Sequence, residues 1–303
     1  MRVVVAATAD VAIPTLEWLC NSEHDLVRIV TTPDSKSGRG KVLKASPVAN
    51  WASENSIEIL KPNTLSEINQ AFEDCDVVIA IAYGKILTSG TLLIPQYGFI
   101  NLHFSLLPAY RGAAPVQRAI LNGEKVTGFT IFKIDQNLDT GPIHFQEKYE
   151  IDARANSAEV LKDLSELGAK AFSRVLSDLE NGLQPTSQSD VGVSFAPKIS
   201  KDEARINWTT SSTNLLNLVR AFTPAPGAWT TLNGENLKIT EINSASTQNR
   251  LAPGVIQVEN RRLFVGTSDQ PIEISRVVPS GKKEMKTLDW LNGAHIVSGE
   301  VFE

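Results

Sequence analysis

Asn101 and His103 lie at the end of an otherwise apolar, strand-like run, NLHFSLLPAYRG at residues 101–112. Side chains alternate along a strand, so these two are predicted to point to the same side while Leu102 points into the core. Asp139 follows a second strand-like run and is the natural partner for His103. A carboxylate there is expected to orient the imidazole and raise its pKa, which makes the ring a better donor toward an oxygen that gains negative charge.

A structural interpretation of the same residues stays open, because a lone histidine at a strand end is commonly a satisfied core residue. The amide two residues earlier, the turn from Ser105 to Pro108 and the Asp-Thr-Gly at 139–141 favour a site instead. Reactive groups gather beyond the carboxyl ends of the strands in an open parallel sheet, since helices cover both faces. The residue types alone do not choose between the two interpretations.

The elements that must position these residues alternate in type, which is typical of βαβ units on a parallel sheet. Apolar, β-rich runs predict strands at 2–7, 26–31, 77–82, 99–103, 126–134 and 143–150. Helical periodicity predicts helices at 11–21, 46–54, 64–73 and 114–121, and then a long amphipathic helix that Gly182 ends. We therefore predict a Rossmann-like α/β domain over residues 1–182.

The composition changes after this domain. Residues 183–208 are polar and punctuated by proline, which predicts a linker along the surface. Residues 209–303 contain one helical segment near 213–222 and short strand-like runs at 228–232, 236–243, 254–258, 262–266 and 271–277. This pattern predicts a small β-barrel, for which an OB-like fold is a reasonable choice.

The bulk composition is that of an ordinary globular protein, with 303 residues of which 42% are hydrophobic and 21% charged. We expect a soluble, cytoplasmic protein without a membrane segment, because no run of eighteen apolar residues and no cleavable signal is present. The two cysteines make neither a disulfide framework nor a zinc site, and no His/Cys/Asp cluster has ligand spacing. We therefore expect no metal, and a monomer is the default.

The net charge of −5 speaks against nucleic-acid binding, yet basic residues cluster locally. One cluster, Lys36, Arg39, Lys41 and Lys44, lies in the Gly/Ser-rich loop after Asp34, and another contains Lys282, Lys283 and Lys286. A solvated surface is the alternative for either cluster alone. The loop is not a phosphate-binding P-loop, because Val42 stands where that motif needs Ser or Thr.

Longer motifs carry a resemblance to a known family. The runs NLHFSLLPAYRGAAPVQRAI at 101–120 and LDTGPI at 138–143 resemble the folate-dependent formyltransferases, and RGAAPVQR at 111–118 resembles their tRNA-directed branch. The similarity extends over nearly the whole chain, through TTPDSKSGRGKVLKASPV at 31–48, VVIAIAYGKIL at 77–87 and SKDEARINW at 200–208.

The resemblance implies that the amino group of methionine, esterified to initiator tRNA, attacks the formyl carbon of the co-substrate 10-formyltetrahydrofolate. The Asn101 amide and a protonated His103 would donate to the oxygen of the tetrahedral intermediate, and Asp139 would move the proton. The implied folate contacts are Tyr83, Gly84, Ile86, Leu87, Ser105, Leu106, Leu107, Pro108 and Asp135. The implied tRNA contacts are Lys36, Arg39, Lys41, Lys44, Arg111, Lys282 and Lys283, with residues 209–303 as the tRNA-binding domain.

Two departures from the family pattern occur. Ala7-Thr8-Ala9 stands where the family usually has Gly-Thr-Pro, beside the region expected to hold the methionine side chain, and Phe104 is bulkier than the residue often found in its place. Three alternatives stay open: a formyltransferase for a small amine such as a nucleotide-linked glycinamide or an amino sugar, a hydrolase of formyl-tetrahydrofolate, and a noncatalytic tRNA-binding module.

Overall fold

The computed structural model describes residues 1–37, 42–245 and 250–303. The strands are β1 Arg2–Ala7, β2 Asp25–Val30, β3 Ser35–Ser37, β4 Val42–Lys44, β5 Ile59–Leu60, β6 Val77–Ile81, β7 Phe99–His103, β8 Arg111–Gly112, β9 Val126–Lys133, β10 Ile143–Glu150, β11 Phe195–Ala196, β12 Ala228–Leu232, β13 Glu235–Ser244, β14 Ile256–Glu259, β15 Arg262–Val265, β16 Ile272–Pro279 and β17 Met285–Lys286. The helices are α1 Ile13–Cys20, α2 Pro47–Glu54, α3 Leu65–Gln70, α4 Ser89–Leu92, α5 Pro115–Leu121, α6 Ser157–Glu180, α7 Ser212–Phe222 and α8 Thr287–Ala294, with a 3₁₀ turn at Asp10–Ala12.

The chain forms two compact units. The first contains residues 1–112, 126–150 and 161–196, and the second contains residues 113–125, 151–160 and 197–303. The functional boundaries 1–182, 183–208 and 209–303 stay a prediction.

A seven-stranded sheet forms the framework of the first unit, in the order β10-β9-β7-β6-β1-β2-β5. Strands β5, β2, β1, β6 and β7 are parallel, and β9 and β10 add an antiparallel edge. Every residue of β6 is buried, because its unbroken VVIAI run suits a central strand covered on both faces. The predicted Rossmann-like parallel sheet is confirmed.

Helix α6 packs closely against Leu102 of β7. Gly168 of α6 has no side chain, and a Cβ atom there would lie 2.6 Å from Cδ1 of Leu102. Leu102 is 2% exposed and therefore packs into the core, as predicted. Alternation along the strand then directs Asn101 and His103 to the opposite face.

The second unit is built on an antiparallel sheet in the order β12-β13-β16-β15-β14, with β17 paired to β16. Residues at the C-terminal end of the chain join its two outer strands. Thr231 and Glu303 exchange backbone hydrogen bonds beside β12, while the Phe302 amide donates to Gly254 and the Ile256 amide donates to Glu300 beside β14. The predicted small β domain is thus confirmed and is closed by residues 300–303.

The core of this unit is apolar, and burial of each large aliphatic or aromatic side chain contributes about 1.5–3 kcal/mol. Its buried residues include Trp208, Leu215, Leu237, Ile239, Leu263, Ile274 and Phe302. Helix α8, which sequence periodicity did not predict, packs Trp290 and Leu291 against them. In the parts of the chain that the structure describes, no helix has the length and apolar character needed to cross a bilayer.

Candidate active site

The imidazole of His103 is held at the carboxyl end of β7 by contacts to both ring nitrogens. Nε2 lies 2.9 Å from the carbonyl oxygen of Tyr110, and Nδ1 lies 3.8 Å from Oδ2 of Asp139. A carbonyl oxygen can only accept, so Nε2 carries the hydrogen. The side chain is 6% exposed, so the ring is almost fully removed from water. Its Nδ1 edge faces the Asp139 carboxylate.

Burial lowers the pKa of His103 below its ordinary value, although the Asp139 carboxylate and the Tyr110 carbonyl both act to raise it. The Asp139 carboxylate acts in the direction predicted from the sequence, but the net pKa is lowered, so the expectation of a protonated ring is wrong. The reason is desolvation: removal of the ring from water disfavours its charged form, and one carboxylate 3.8 Å away does not offset that cost. Near neutral pH the ring is neutral, with its lone pair on Nδ1.

Asp139 lies in the loop between β9 and β10, and hydrogen bonds hold it in place. Its Oδ2 accepts a hydrogen bond of 2.7 Å from the Gly112 amide, and its backbone is in the left-handed region with φ +52°. The carboxylate of Asp135 accepts from the Thr140 hydroxyl at 2.7 Å and so ties the loop across its base. At Gly141 the loop passes so close to β9 that a Cβ atom would lie 1.7 Å from the Lys133 carbonyl oxygen.

Asn101 is the third polar residue at this edge of the sheet. It pairs with Ala80 of β6 on one side and Phe132 of β9 on the other, and it is half-buried. Its carboxamide makes no hydrogen bond with the residues that the structure describes. The two amide hydrogens are therefore available to a bound substrate.

The turn from Ser105 to Pro108 is held by Thr130, a buried residue of β9. The Thr130 hydroxyl donates to the Ser105 carbonyl at 2.6 Å, and its oxygen accepts from the Leu107 amide at 3.1 Å and from Nε2 of Gln146 at 2.8 Å. Buried polar groups that are fully paired rigidify a segment, so this turn presents a defined backbone beside His103.

Two family models match most of the chain. A model described as formyl transferase matches residues 1–176, and one described as formyl transferase, C-terminal domain, matches residues 198–295. The chain belongs to the formyl transferase family. A methionyl-tRNA formyltransferase of Thermobifida fusca is 43% identical over 100% of this chain and 99% of its own length.

Solved structures share the fold of this chain. HypX from Aquifex aeolicus has a TM-score of 0.71 at 17% identity, covering 97% of this chain and 49% of its own, so the chain spans about half the length of HypX. An N-formyltransferase from Helicobacter canadensis, in complex with folinic acid and dTDP-3-aminofucose, has a TM-score of 0.68 at 19% identity, covering 90% of this chain and 98% of its own.

The residues predicted to contact folate lie on three loops and differ in exposure. Tyr83, Ser105 and Leu107 are buried, Leu87, Leu106, Pro108 and Asp135 are half-buried, and Gly84 and Ile86 are exposed. Burial raises the pKa of Tyr83 to about 12, and its buried hydroxyl has no hydrogen-bond partner among the described residues. The side chain of Gln136 donates to the Ser89 hydroxyl, which ties the loop containing Asp139 to the segment that follows Ile86.

The basic residues predicted to contact tRNA fall into three groups. Arg39 and Lys41 lie outside the described residues, and Lys36 falls in β3 with its side chain outside the description. Lys44, Lys282 and Lys283 are exposed, and Arg111 is half-buried in β8. A role of these residues in RNA binding stays a prediction.

The sequence interpretation missed a contribution from residues 186–196, which it assigned to a linker. Ser194 accepts from the amides of Tyr110 and Arg111, and β11 pairs in parallel with β8. Gln188 reaches the backbone of Asp139. No periodicity or motif marks these residues, because their role depends on pairing with distant segments. Within the described parts of the chain, no group of three or more His, Cys, Asp or Glu side chains is arranged to hold a metal ion.

Proposed function

We propose that this chain transfers the formyl group of 10-formyltetrahydrofolate to the amino group of methionine on initiator tRNA. The observation that carries the proposal is the 43% identity to a methionyl-tRNA formyltransferase over the full length of both chains. The site supports it, since Asn101, His103 and Asp139 converge at the carboxyl edge of the sheet.

Because His103 is neutral, it can act as the base that takes a proton in the reaction. Nε2 is occupied by the Tyr110 carbonyl, so the ring takes a proton at Nδ1, on the side where Asp139 lies. The attacking amine must lose a proton, and the imidazolium that forms when Nδ1 receives it is stabilised by the Asp139 carboxylate. As the bond between the formyl carbon and the folate nitrogen breaks, His103 returns this proton to that nitrogen, while Asn101 donates its amide hydrogens to the formyl oxygen throughout.

The exposed surface beside the site fits a flat, partly apolar co-substrate. Ile86 is 99% exposed and Leu138 is 60% exposed, and they lie on the two loops that the Gln136–Ser89 hydrogen bond connects. Ring systems cover such apolar side chains favourably. Backbone groups of residues 135–139 and of the Ser105–Pro108 turn can pair with the polar edge of a pterin. The folate supplies the formyl group, and these loops hold it.

The acceptor is a macromolecule in this proposal, with Lys44, Lys282 and Lys283 as exposed contacts to phosphates. The C-terminal family match at residues 198–295 identifies a second domain beyond the catalytic one, and we propose that this domain contacts the tRNA. We propose that the protein acts in the cytoplasm, where initiator tRNA is aminoacylated and used. We also propose that it acts as a monomer.

The test is a formylation assay with 10-formyltetrahydrofolate and methionyl initiator tRNA, read as the mass of the released methionine. A dTDP-amino sugar, glycinamide ribonucleotide and water alone serve as competing acceptors. Formylation of methionine that is lost in His103→Gln supports the proposal. Formylation of the sugar or of glycinamide, or release of formate without an acceptor, would reject it in favour of the corresponding alternative.

A further inference from the structure

Residues 186–196 run beside the catalytic loop and are hydrogen-bonded at both of their ends. Thr186 and Ile143 exchange backbone hydrogen bonds of 2.7 and 2.8 Å at one end. At the other end the Arg111 amide donates to the Ser194 carbonyl at 2.9 Å. The segment is thereby anchored to β10 and β8, and Gln188 lies between the two anchors.

The carboxamide of Gln188 joins two parts of the site. Its Nε2 donates to the carbonyl oxygens of Asp139 and Gly141, each at 2.8 Å, and its Oε1 accepts from Nη2 of Arg111 at 2.6 Å. Backbone carbonyls can only accept and a guanidinium can only donate, so the orientation of the amide is determined. Among side chains of this length, only glutamine offers both functions.

These contacts hold Asp139 from two directions. Its main chain is bonded to Gln188, while its Oδ2 is bonded to the amide of Gly112, the residue that follows Arg111. The left-handed backbone at Asp139 needs such support, because a non-glycine residue with φ +52° is strained.

We propose that Gln188 is a positioning residue that sets the place of the Asp139 carboxylate relative to His103, and that Arg111 orients Gln188 for this purpose. Arg111 then has a task within the protein in addition to any contact with RNA. The proposal deepens the proposed function and rests on it only for the kinetic readout. A catalytic group displaced by about 1 Å can lose on the order of 100-fold in rate.

Two variants separate the functions of the amide. Gln188→Glu keeps an acceptor for Arg111 but replaces the donor by an oxygen that faces two carbonyls, and Gln188→Met removes both functions without adding charge. Gln184→Glu is the matched control, since Gln184 is exposed and, among the described residues, its side chain donates to the Gly182 carbonyl alone. We expect kcat to fall about 10- to 100-fold in both Gln188 variants, with KM for both substrates close to wild type and a melting temperature that stays well above the assay temperature.

An NMR titration of His103 gives a readout that does not depend on activity. The Asp139 carboxylate raises the pKa of His103, so its displacement in Gln188→Met should move the titration midpoint to lower pH. An unchanged midpoint, or a kcat within about twofold of wild type, would overturn the inference, as would a loss of kcat that merely follows a lower melting temperature. If the wild type did not formylate methionyl-tRNA while the midpoint still moved, the proposed function would fail and the positioning role would stand.

Discussion

Nδ1 of His103 lies 3.8 Å from Oδ2 of Asp139, too far for a hydrogen bond between them. The carboxylate therefore acts on the ring through its charge, and its own hydrogen bond goes to the Gly112 amide. In the proposed reaction, this arrangement leaves Nδ1 free to take a proton from the bound amine, and the Asp139 carboxylate stabilises the charge that results.

Asp139→Asn should lower kcat by about 100- to 10,000-fold, the range that general acid–base groups contribute. The asparagine oxygen can still accept from the Gly112 amide, so the loop and the melting temperature should be retained. The measurement is single-turnover formylation of methionyl-tRNA. Asp190→Asn, at an exposed position, serves as the control and should be fully active. A nearly unchanged rate in Asp139→Asn would contradict the role assigned to the carboxylate.

The lowered pKa of His103 predicts how the free energy of unfolding changes with pH. The unfolded chain takes up a proton near pH 6.5, but burial lowers the pKa in the folded protein, so the unfolded state binds more protons below that pH. Stability is therefore fully present above about pH 6.5 and falls as the pH decreases toward the folded pKa. Wild type should lose more melting temperature between neutral and acidic pH than His103→Gln.

Burial also lowers the pKa values of His24 and His144, so they contribute to the same loss in both proteins. Only the difference between wild type and His103→Gln reports His103. The glutamine can keep a donor toward the Tyr110 carbonyl, which limits structural loss. Parallel pH curves for the two proteins would show that burial does not dominate the pKa of His103.

The strands that carry the site could be predicted because their cause is local. An unbroken apolar run such as 77–81 allows little except a central strand, and the alternation around Leu102 already placed Asn101 and His103 on one face. Helix α6 followed from its amphipathic period in the same way.

What the sequence could not predict depends on distance in space rather than along the chain. The pKa of His103 depends on how completely the folded protein buries the ring, and the types of the neighbouring residues in the sequence do not predict that burial. Gln188 is 49 positions from Asp139 and sits in a polar stretch typical of a linker. Helix α8 is short and contains Gly293, so its periodicity is weak, and it is stabilised by packing against the β core.

Thr130→Val should loosen the turn from Ser105 to Pro108. The substitution keeps the shape of the side chain but leaves the Leu107 amide and the Ser105 carbonyl without their partner. We expect a loss of about 1–3 kcal/mol in the free energy of unfolding and a higher KM for the formyl donor. Chemical denaturation and steady-state kinetics measure the two effects.

Thr127→Val is the matched control for that substitution. Thr127 lies on the same strand and is also buried, yet its hydroxyl makes no hydrogen bond with the described part of the chain. It should keep the wild-type KM. If both valine variants behaved alike, the hydrogen bonds of Thr130 would not be what holds the turn.

Gly141→Ala should destabilise the protein and reduce activity together. A Cβ atom at this position would meet the Lys133 carbonyl oxygen at 1.7 Å, so the loop with Asp139 must move away from β9. Overpacking of this kind costs about 1–3 kcal/mol.

Gly293→Ala is the opposite case, because a Cβ atom at this position in helix α8 would meet nothing within 4 Å. This substitution should stabilise the protein by about 0.4–1 kcal/mol. Thermal melting of the two variants should give changes of opposite sign.

Exchange of Lys282 and Lys283 for glutamine tests the second unit as an RNA-binding surface. Both side chains are exposed in the turn after β16, and no ion pair engages either of them within the described ranges. Binding of initiator tRNA should weaken, and the dependence of log affinity on log salt should flatten by roughly 0.7–0.9 for each phosphate that the variant no longer neutralises. Lys148→Gln with Lys170→Gln, two exposed positions on β10 and α6, provides a control of equal charge. An equal fall in affinity in both double variants would mean that net charge, rather than the turn after β16, attracts the tRNA.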